Sequence, residues 1–471
     1  MELAGKHVLV LGLGESGYAG ALWCARQGAR VRVADTRAQP PYLEALMRRA
    51  TTTVVSSGDI AFRAGEFDKT LLEGIDLLVL SPGLNGGLMI VIHARAQGIP
   101  VVGEIELFAQ ALHALCPGVP LLAITGTNGK TTTTALTGHL LWATGKRVGI
   151  AGNISPAALT ALMDAQDAGA LPDVWVLELS SFQLETTNSL DAAAAAVLNI
   201  SDDHLDRYID LAEYASAKAR IFDARGDGGT QVLNRDDRRV RRMVRPGRAL
   251  ITFGLDAPAA AGDFGLRRID GRDWLAHGDQ ALMPADELPI HGRHNAANAL
   301  AALALCHAIG FAPQALLPAL RAFRGLPHRV EHVACIDAVD YCDDSKGTNV
   351  GATVAALAGR GRPGVVILGG DGKGQDFAPL AGAVKAHARA VVLIGRDGPL
   401  IEKQIARAGV PMPSADSLDA AVRHARALAR PGDAVLLSPA CASFDMFRNY
   451  EHRAQVFVDA VKAMEPSCKA H

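Results

Sequence analysis

Gly126, Gly129, Lys130 and Thr131 lie within ITGTNGKTT, residues 124–132. Glycines that free backbone N–H groups, a lysine and a hydroxyl at the start of a helical pattern are the parts of a phosphate cradle. The loop is shortened: the full pattern wants a glycine five positions before Gly129, and Ile124 stands there. Lys130 can reach terminal phosphates, and the Thr131 hydroxyl suits a hard divalent cation. A second candidate loop, VLVLGLGESGYAG, places Gly12, Gly14 and Gly17 in G-x-G-x-x-G after an apolar run, with Asp35 ending the next one. That spacing fits a dinucleotide fingerprint. It equally fits a tight strand–helix turn without a ligand, so a nicotinamide-dependent dehydrogenase stays open as an alternative.

Other groups with chemical potential stand at the ends of apolar runs. Glu178 closes VWVLE in LELSSFQLE, where burial is costly without a partner or a metal. His204 follows AAAVLNI within DDHLDRY, and Lys218 lies in the helical SAKARIF; alone, these read as a structural histidine and a solvated lysine. Asn295 and Asn298 are three apart, on one face of a helix. DDSKGTN (343–349), GGDGKGQDF (369–377) and SPACASFDMF (438–447) each mix small residues with charge after an apolar run.

The elements that must hold these groups are short β-branched runs alternating with Ala/Leu-rich helical stretches. HVLVLG, VRVAD, DLLVLS, LLAITG, DVWVLEL, AAAVLNI, VVILGG, AVVLIG and AVLLS read as buried parallel strands. Helical patterns fall at 130–144, 212–224, 295–310 and 418–430. The alternation predicts α/β layers whose ligands gather at strand carboxyl ends. Residues 225–290, with Gly/Asp-rich breaks, read as a peripheral extension of the middle sheet. The 471 residues exceed one core. Three domains are expected at 1–108, 109–325 and 326–471: a Rossmann-like N-terminal domain, a central P-loop-type ATP-binding parallel sheet and a C-terminal Rossmann-like domain.

Composition narrows the partners. Hydrophobic content of 49%, charged content of 20% and a net charge of −2 describe a folded chain without general affinity for nucleic acid or membrane surfaces. Seven cysteines without a C-x-x-C pair read as reduced thiols in the cytoplasm. No apolar run approaches the roughly 18 residues of a membrane helix, and MELAGKHVLV enters a strand with no visible signal peptide.

TGTNGKTT, ELSSFQLE, DDHLDRY, SAKARIF, GRHNAANALAA, LPHRVE, DDSKGTN and GGDGK, in this order along essentially the whole chain, resemble the Mur ligases of peptidoglycan synthesis. GLGESG with Asp35-Thr36-Arg37, DDSKGTN and SPACASFDMF favour the branch that adds D-glutamate. The resemblance implies an ATP-dependent, ADP-forming ligase acting on UDP-N-acetylmuramoyl-L-alanine and D-glutamate through an acyl phosphate. It implies ATP binding by Gly126, Thr127, Asn128, Gly129, Lys130, Thr131, Thr132, Asn295, Asn298, Arg329 and Asp344. Glu15, Ser16, Asp35, Thr36, Arg37, Ser81 and Asn153 would meet the uridine-linked substrate. Thr348, Lys373, Ser443 and Tyr450 would meet D-glutamate. Two Mg²⁺ would be held by Thr131, Glu178, His204 and Lys218, the lysine converted by CO₂ to a carbamate. Lys130, His204, Lys218 and Lys346 would be catalytic. A cytoplasmic monomer is expected. Ser155, Phe444 and Tyr450 depart from the pattern of the family.

Overall fold

The computed structural model describes residues 2–50, 60–204, 207–223, 229–290, 292–359 and 363–464. Three sheets follow one another along the chain. The first is wholly parallel, in the order Ile60–Ala64, Arg30–Asp35, His7–Leu11, Leu77–Leu80, Val101–Val102. The second has nine strands, in the order Gln280–Pro284, Arg272–His277, Phe264–Ile269, Leu250–Phe253, Thr230–Asn234, Ala194–Val197, Leu121–Thr125, Val174–Glu178, Val148–Gly152. The third runs Glu331–Ile336, Val339–Asp343, Ala434–Leu437, Gly364–Gly369, Ala388–Ile394. All nine apolar runs read from the sequence are strands.

Parallel pairing breaks in two places. Phe264–Ile269, Arg272–His277 and Gln280–Pro284 form an antiparallel ribbon on the edge of the central sheet. Glu331–Ile336 and Val339–Asp343 form an antiparallel hairpin opening the third. The reason is local: Asp270-Gly271 and Asp337-Ala338 have φ of 49°, 78°, 51° and 58°, left-handed pairs that turn a strand straight back. The helical stretches 130–144, 295–310 and 418–430 are the helices Lys130–Trp142, Arg293–Ala308 and Leu418–Leu428. The stretch 212–224 is Leu211–Ala219 followed by a 3₁₀ turn, Arg220–Phe222; residue 224 lies outside the described residues.

The first two sheets reverse their winding where a loop of interest emerges. His7–Leu11 lies between Arg30–Asp35 and Leu77–Leu80, and Leu121–Thr125 between Ala194–Val197 and Val174–Glu178. At such switch points the connections diverge to opposite sides and leave a crevice. The first two sheets share one apolar core. The helix Glu104–Leu115 lies between them, and its Phe108 meets Trp175 edge-on at 5.0 Å, both fully buried. The expected division at 108/109 falls inside this helix. The third sheet keeps apolar clusters of its own.

The first Gly-rich loop contains a strict packing requirement. A Cβ on Gly17 would lie 1.9 Å from the Gly12 carbonyl oxygen, whereas one on Gly14 would meet nothing within 4 Å. Gly17→Ala should destabilise the protein by about 3 kcal/mol or more, and Gly14→Ala by less than about 1 kcal/mol. Equal melting temperatures for the two variants would contradict this packing.

Candidate active site

Leu121–Thr125 is buried end to end and delivers the shortened loop onto the N-terminus of Lys130–Trp142. Gly129 takes φ 83°, and a Cβ there would sit 2.4 Å from Asn298 Oδ1. The loop therefore needs glycine for both conformation and space. Lys130 Nζ donates to the Gly126 and Thr127 carbonyls, each at 2.9 Å. Burial lowers its pKa, with Arg329 adding to the effect and Glu178 and Asp203 opposing it.

A cleft of about 510 Å³ opens beside this loop, between the central and C-terminal sheets. From the predicted set it is lined by Thr127, Asn128, Gly129, Lys130, Thr131 and Thr132 of the loop. Asn153, Glu178, His204, Asn295 and Asn298 line it from elsewhere on the central domain. Arg329, Asp344, Lys346 and Thr348 line it from the C-terminal side. Arg329 crosses to donate to Thr131 Oγ1 at 2.6 Å. Asn298 Nδ2 donates to Asn295 Oδ1 at 3.1 Å, pairing the two asparagines on one helix face.

Glu178 is 1% exposed; Oε1 accepts from Asn153 Nδ2 at 2.7 Å, while Oε2 is buried without a hydrogen-bond partner. An orphaned carboxylate oxygen beside a phosphate loop, with a threonine hydroxyl and a histidine on the same cleft, suits a hard cation such as Mg²⁺. His204 adopts φ 55° and packs edge-on to Phe182 at 4.7 Å. Its pKa is lowered, first by burial, against Asp203, and further by the ammonium groups of Lys373, Lys218 and Lys130.

Lys218 does not line the cleft. It is 1% exposed behind the wall, donating to Thr125 Oγ1 at 3.4 Å and lying 4.6 Å from the Tyr214 ring centroid. Burial pushes it well below the ordinary lysine value, and Lys130 pushes the same way. As an ammonium this group is poorly served, which rules out the solvated-lysine reading.

The C-terminal loops follow three adjacent strands and interlock. Asp371 and Ala442 exchange backbone hydrogen bonds at 3.0 and 2.8 Å, and Ala440 N–H donates to the Gly347 carbonyl at 2.9 Å. Lys373 is half-buried, Ser443 is 3% exposed, and Tyr450 places its ring 3.7 Å from Lys346 Nζ. Among these, Lys346 is held down to about 8 by burial. Lys373, Ser443 and Tyr450 lie off the cleft lining, as does Gly126.

The N-terminal set gathers at the end of its own sheet. Burial favours the neutral form of Asp35, but Arg37 and the Leu13 N–H outweigh it, leaving the carboxyl at about 2. The carboxylate accepts Leu13 N–H at 2.7 Å and Arg37 Nε and Nη2 at 2.8 and 2.7 Å. Thr36 and Arg37 are exposed at this rim, Ser16 sits in the first turn of Glu15–Arg26, and Ser81 Oγ donates to the Gly12 carbonyl at 2.6 Å. Glu15 turns toward the central domain, accepting from Ser155 Oγ at 2.7 Å and Ala157 N–H at 3.1 Å. Ser155 holds φ 60°, a glycine-like conformation, and its hydroxyl makes that bond.

Several residues escaped the sequence reading. Asn199, Asp203 and His294 line the cleft. Arg453, fully buried, donates to Ser345 Oγ, Ser345 O and Cys441 O at 3.0, 2.8 and 3.1 Å, joining two loops with no carboxylate partner among the described residues. No local motif announces it, because its partners lie far off in sequence.

Residues 6–103 match the Mur ligase MurD-like N-terminal domain, 124–306 the Mur ligase middle domain and 328–441 the Mur ligase glutamate ligase domain. The chain belongs to the Mur ligase family. It is 58% identical to a UDP-N-acetylmuramoylalanine–D-glutamate ligase of Aromatoleum aromaticum, covering 98% of each chain. It is 56% identical to the enzyme of that name in Nitrosospira multiformis, covering 99% of this chain and 97% of that one. Its fold is similar to that of the UDP-N-acetylmuramate-alanine ligase of Thermotoga maritima, with TM-score 0.59 at 19% identity over 97% of this chain and 99% of the other. A pseudomurein peptide ligase type C from Methanothermus fervidus gives TM-score 0.58 at 17% identity, over 98% and 100%.

Asp344 offers a pH test. It is 7% exposed, accepts from Ser438 Oγ at 2.6 Å, and burial raises it from 3.8 to about 7. A raised carboxyl favours the fold below its unfolded pKa, and that advantage is lost as pH rises through about 7. The ionisation weakens the fold by at most about 4 kcal/mol. Asp344→Asn should flatten the fall in melting temperature between pH 5 and 8. Glu104, raised to about 7 by burial, leaves a residual slope. Parallel wild-type and variant profiles would refute the assignment.

Proposed function

We propose that this chain is an ATP-dependent, ADP-forming ligase that joins D-glutamate to UDP-N-acetylmuramoyl-L-alanine in peptidoglycan precursor synthesis. The observation that carries the reading is the phosphate loop set against the half-satisfied Glu178 and the buried Lys218, faced by the C-terminal loops. The relatives at 58% and 56% identity supply the choice of substrates. Domains at 1–108, 109–325 and 326–471 would bind the uridine-linked substrate, ATP and D-glutamate respectively. The enzyme would work as a cytoplasmic monomer, and cell shape and division would depend on its product.

Amide formation from a carboxylate is uphill in water. Transfer of the γ-phosphoryl group of ATP to the alanine carboxylate gives an acyl phosphate and ADP. The D-glutamate amine attacks the acyl carbon, phosphate leaves, and one proton is released. Lys130 and the N–H groups of 126–132 would neutralise the β- and γ-phosphates, with Lys346 on the moving group. Asn295, Asn298, Arg329 and Asp344 would hold the nucleotide, and Asn153 the muramoyl substrate. Thr348 and Lys373 would take the α-carboxylate of D-glutamate, with Ser443 and Tyr450 near its side chain. The uridine would lie at Thr36, Arg37 and Ser81, beside Glu15, Ser16 and Asp35. Thr131 and Glu178 would hold one Mg²⁺, and Glu178, His204 and carbamylated Lys218 the second; when bound, the ions offset the negative charge of the transferring phosphate.

The burial of Lys218 supports the carbamate. An ordinary lysine ammonium, with a pKa of about 10.4, repels a cation. Depressed by burial, the amine is available neutral, the form that adds to CO₂ to give a carbamate and a proton. The nicotinamide alternative loses its acid, since the carboxylate of Asp35 is taken by Arg37 and Leu13.

Phosphate release should need ATP, Mg²⁺, UDP-N-acetylmuramoyl-L-alanine and D-glutamate together; equal rates with L-glutamate would reject the substrate assignment. Lys218→Ala should lose nearly all turnover, with partial recovery in acetate, and Lys218→Arg should stay inactive. A crystal map of the wild type near neutral pH should show density beyond Lys218 Nζ. A bare Nζ in an active, metal-bound crystal would reject the carbamate.

A further inference from the structure

Asn349 is 6% exposed and works at both ends of its amide. Its Oδ1 accepts the Ala352 N–H at 2.9 Å, capping the start of the helix Val350–Gly359. Its Nδ2 donates across the domain junction to Asn128 Oδ1 at 3.0 Å and lies 3.4 Å from Asp203 Oδ2. Asn128 stands between the two glycines of the phosphate loop, and Asn199 grips its backbone from the other side. The Asn128 N–H donates to Asn199 Oδ1 at 2.8 Å, and Asn199 Nδ2 donates to the Asn128 carbonyl at 2.9 Å. The approach is close: a Cβ on Gly351 would lie 3.0 Å from Asn128 Nδ2 and 3.3 Å from Ser201 Oγ. A side chain at residue 351 would therefore crowd the approach of this helix to the phosphate loop.

The segment carrying Asn349 also carries Lys346 and Thr348, which line the cleft. The phosphate loop therefore has one asparagine fixing it from its own domain and a second arriving with the domain that would bring the other substrate. We propose that Asn349 is a positioning residue, a latch that sets the phosphate loop for phosphoryl transfer when the C-terminal domain closes. The inference rests on the ligase reading, and it gives Asn349, itself on the cleft lining, a role exerted through Asn128 of the phosphate loop. A hydrogen bond made only in the closed state lowers the barrier without strengthening binding to the open enzyme. Its loss should therefore appear in kcat.

The test uses two full-length variants that keep the helix cap. Asn349→Thr retains a capping oxygen for Ala352 but lacks the amide donor that faces Asn128. Asn349→Ser retains a capping oxygen but is too short to cross. Both should melt within about 2 °C of the wild type. Both should bind ATP alone with a Kd within about twofold of the wild type, and release phosphate with kcat lowered by about tenfold. Small-angle scattering should show less compaction on adding a non-hydrolysable ATP analogue with UDP-N-acetylmuramoyl-L-alanine. Wild-type kcat in both variants would overturn the latch. So would a loss of activity matched by a fall in melting temperature or in ATP affinity, which marks a merely structural cap. A wild-type enzyme without D-glutamate-dependent phosphate release would instead overturn the ligase reading.

Discussion

Three basic side chains, Lys130, Arg329 and Lys346, line one cleft, and a fourth, Lys218, is buried behind its wall. Burial depresses Lys130, Lys218, Arg329 and Lys346, and for the three lysines neighbouring cations add to it. Glu178 and Asp203 pull the other way for the two central-domain lysines. Basic groups taken this far out of water suit an anionic ligand that restores their interactions. Much of the architecture serves to hold these charges. The central sheet delivers the shortened loop and Glu178 from adjacent strands, and the helix Leu211–Ala219 carries Lys218. The hairpin that opens the third sheet brings Arg329 at its start and Lys346 just past its end.

The two domain junctions answer different physical demands. The N-terminal and central domains share an apolar core through Glu104–Leu115, and separating them would expose Phe108 and Trp175. The C-terminal domain keeps its own apolar clusters and meets the phosphate loop through polar bonds, Arg329 to Thr131 and Asn349 to Asn128. Hydrogen bonds exchange for water at small net cost, whereas apolar area does not. Separating the first junction would therefore cost more than separating the second. On either side of Arg329, His328 and Val330 take positive φ, 61° and 52°, the latter unusual for a β-branched residue.

What was legible in the sequence follows from the range of each interaction. The parallel strands were readable because complete burial leaves unbroken apolar runs. Val148–Gly152 was not, since its two glycines dilute the run. The Asp270-Gly271 turn carried a hairpin signal that went unread, whereas Asp337-Ala338 places alanine in a left-handed conformation and gives no signal. Local motifs marked the phosphate loop and Glu178. Asn349 and Arg453 could not be found this way: Asn349 meets Asn128 across 221 residues, and Arg453 meets Ser345 across 108.

The two Gly-rich loops look alike in sequence and differ in what their helix N-termini hold. The helix Lys130–Trp142 has no acid in its first turn, so its partial positive charge and its free N–H groups are left for an external anion. The helix Glu15–Arg26 begins with its own carboxylate, which reaches to Ser155 and Ala157 of the central domain. A carboxylate at that position complements the helix dipole while it binds across the domain junction. Beside it, Arg37 is held in place by the buried Asp35 while its guanidinium stays half-exposed at the rim. The first loop thus fastens two domains and presents an arginine, whereas the second leaves the N-terminus of its helix without a carboxylate. One glycine pattern serves both, because glycine supplies only the close turn and the residues next to it decide which charge the turn receives.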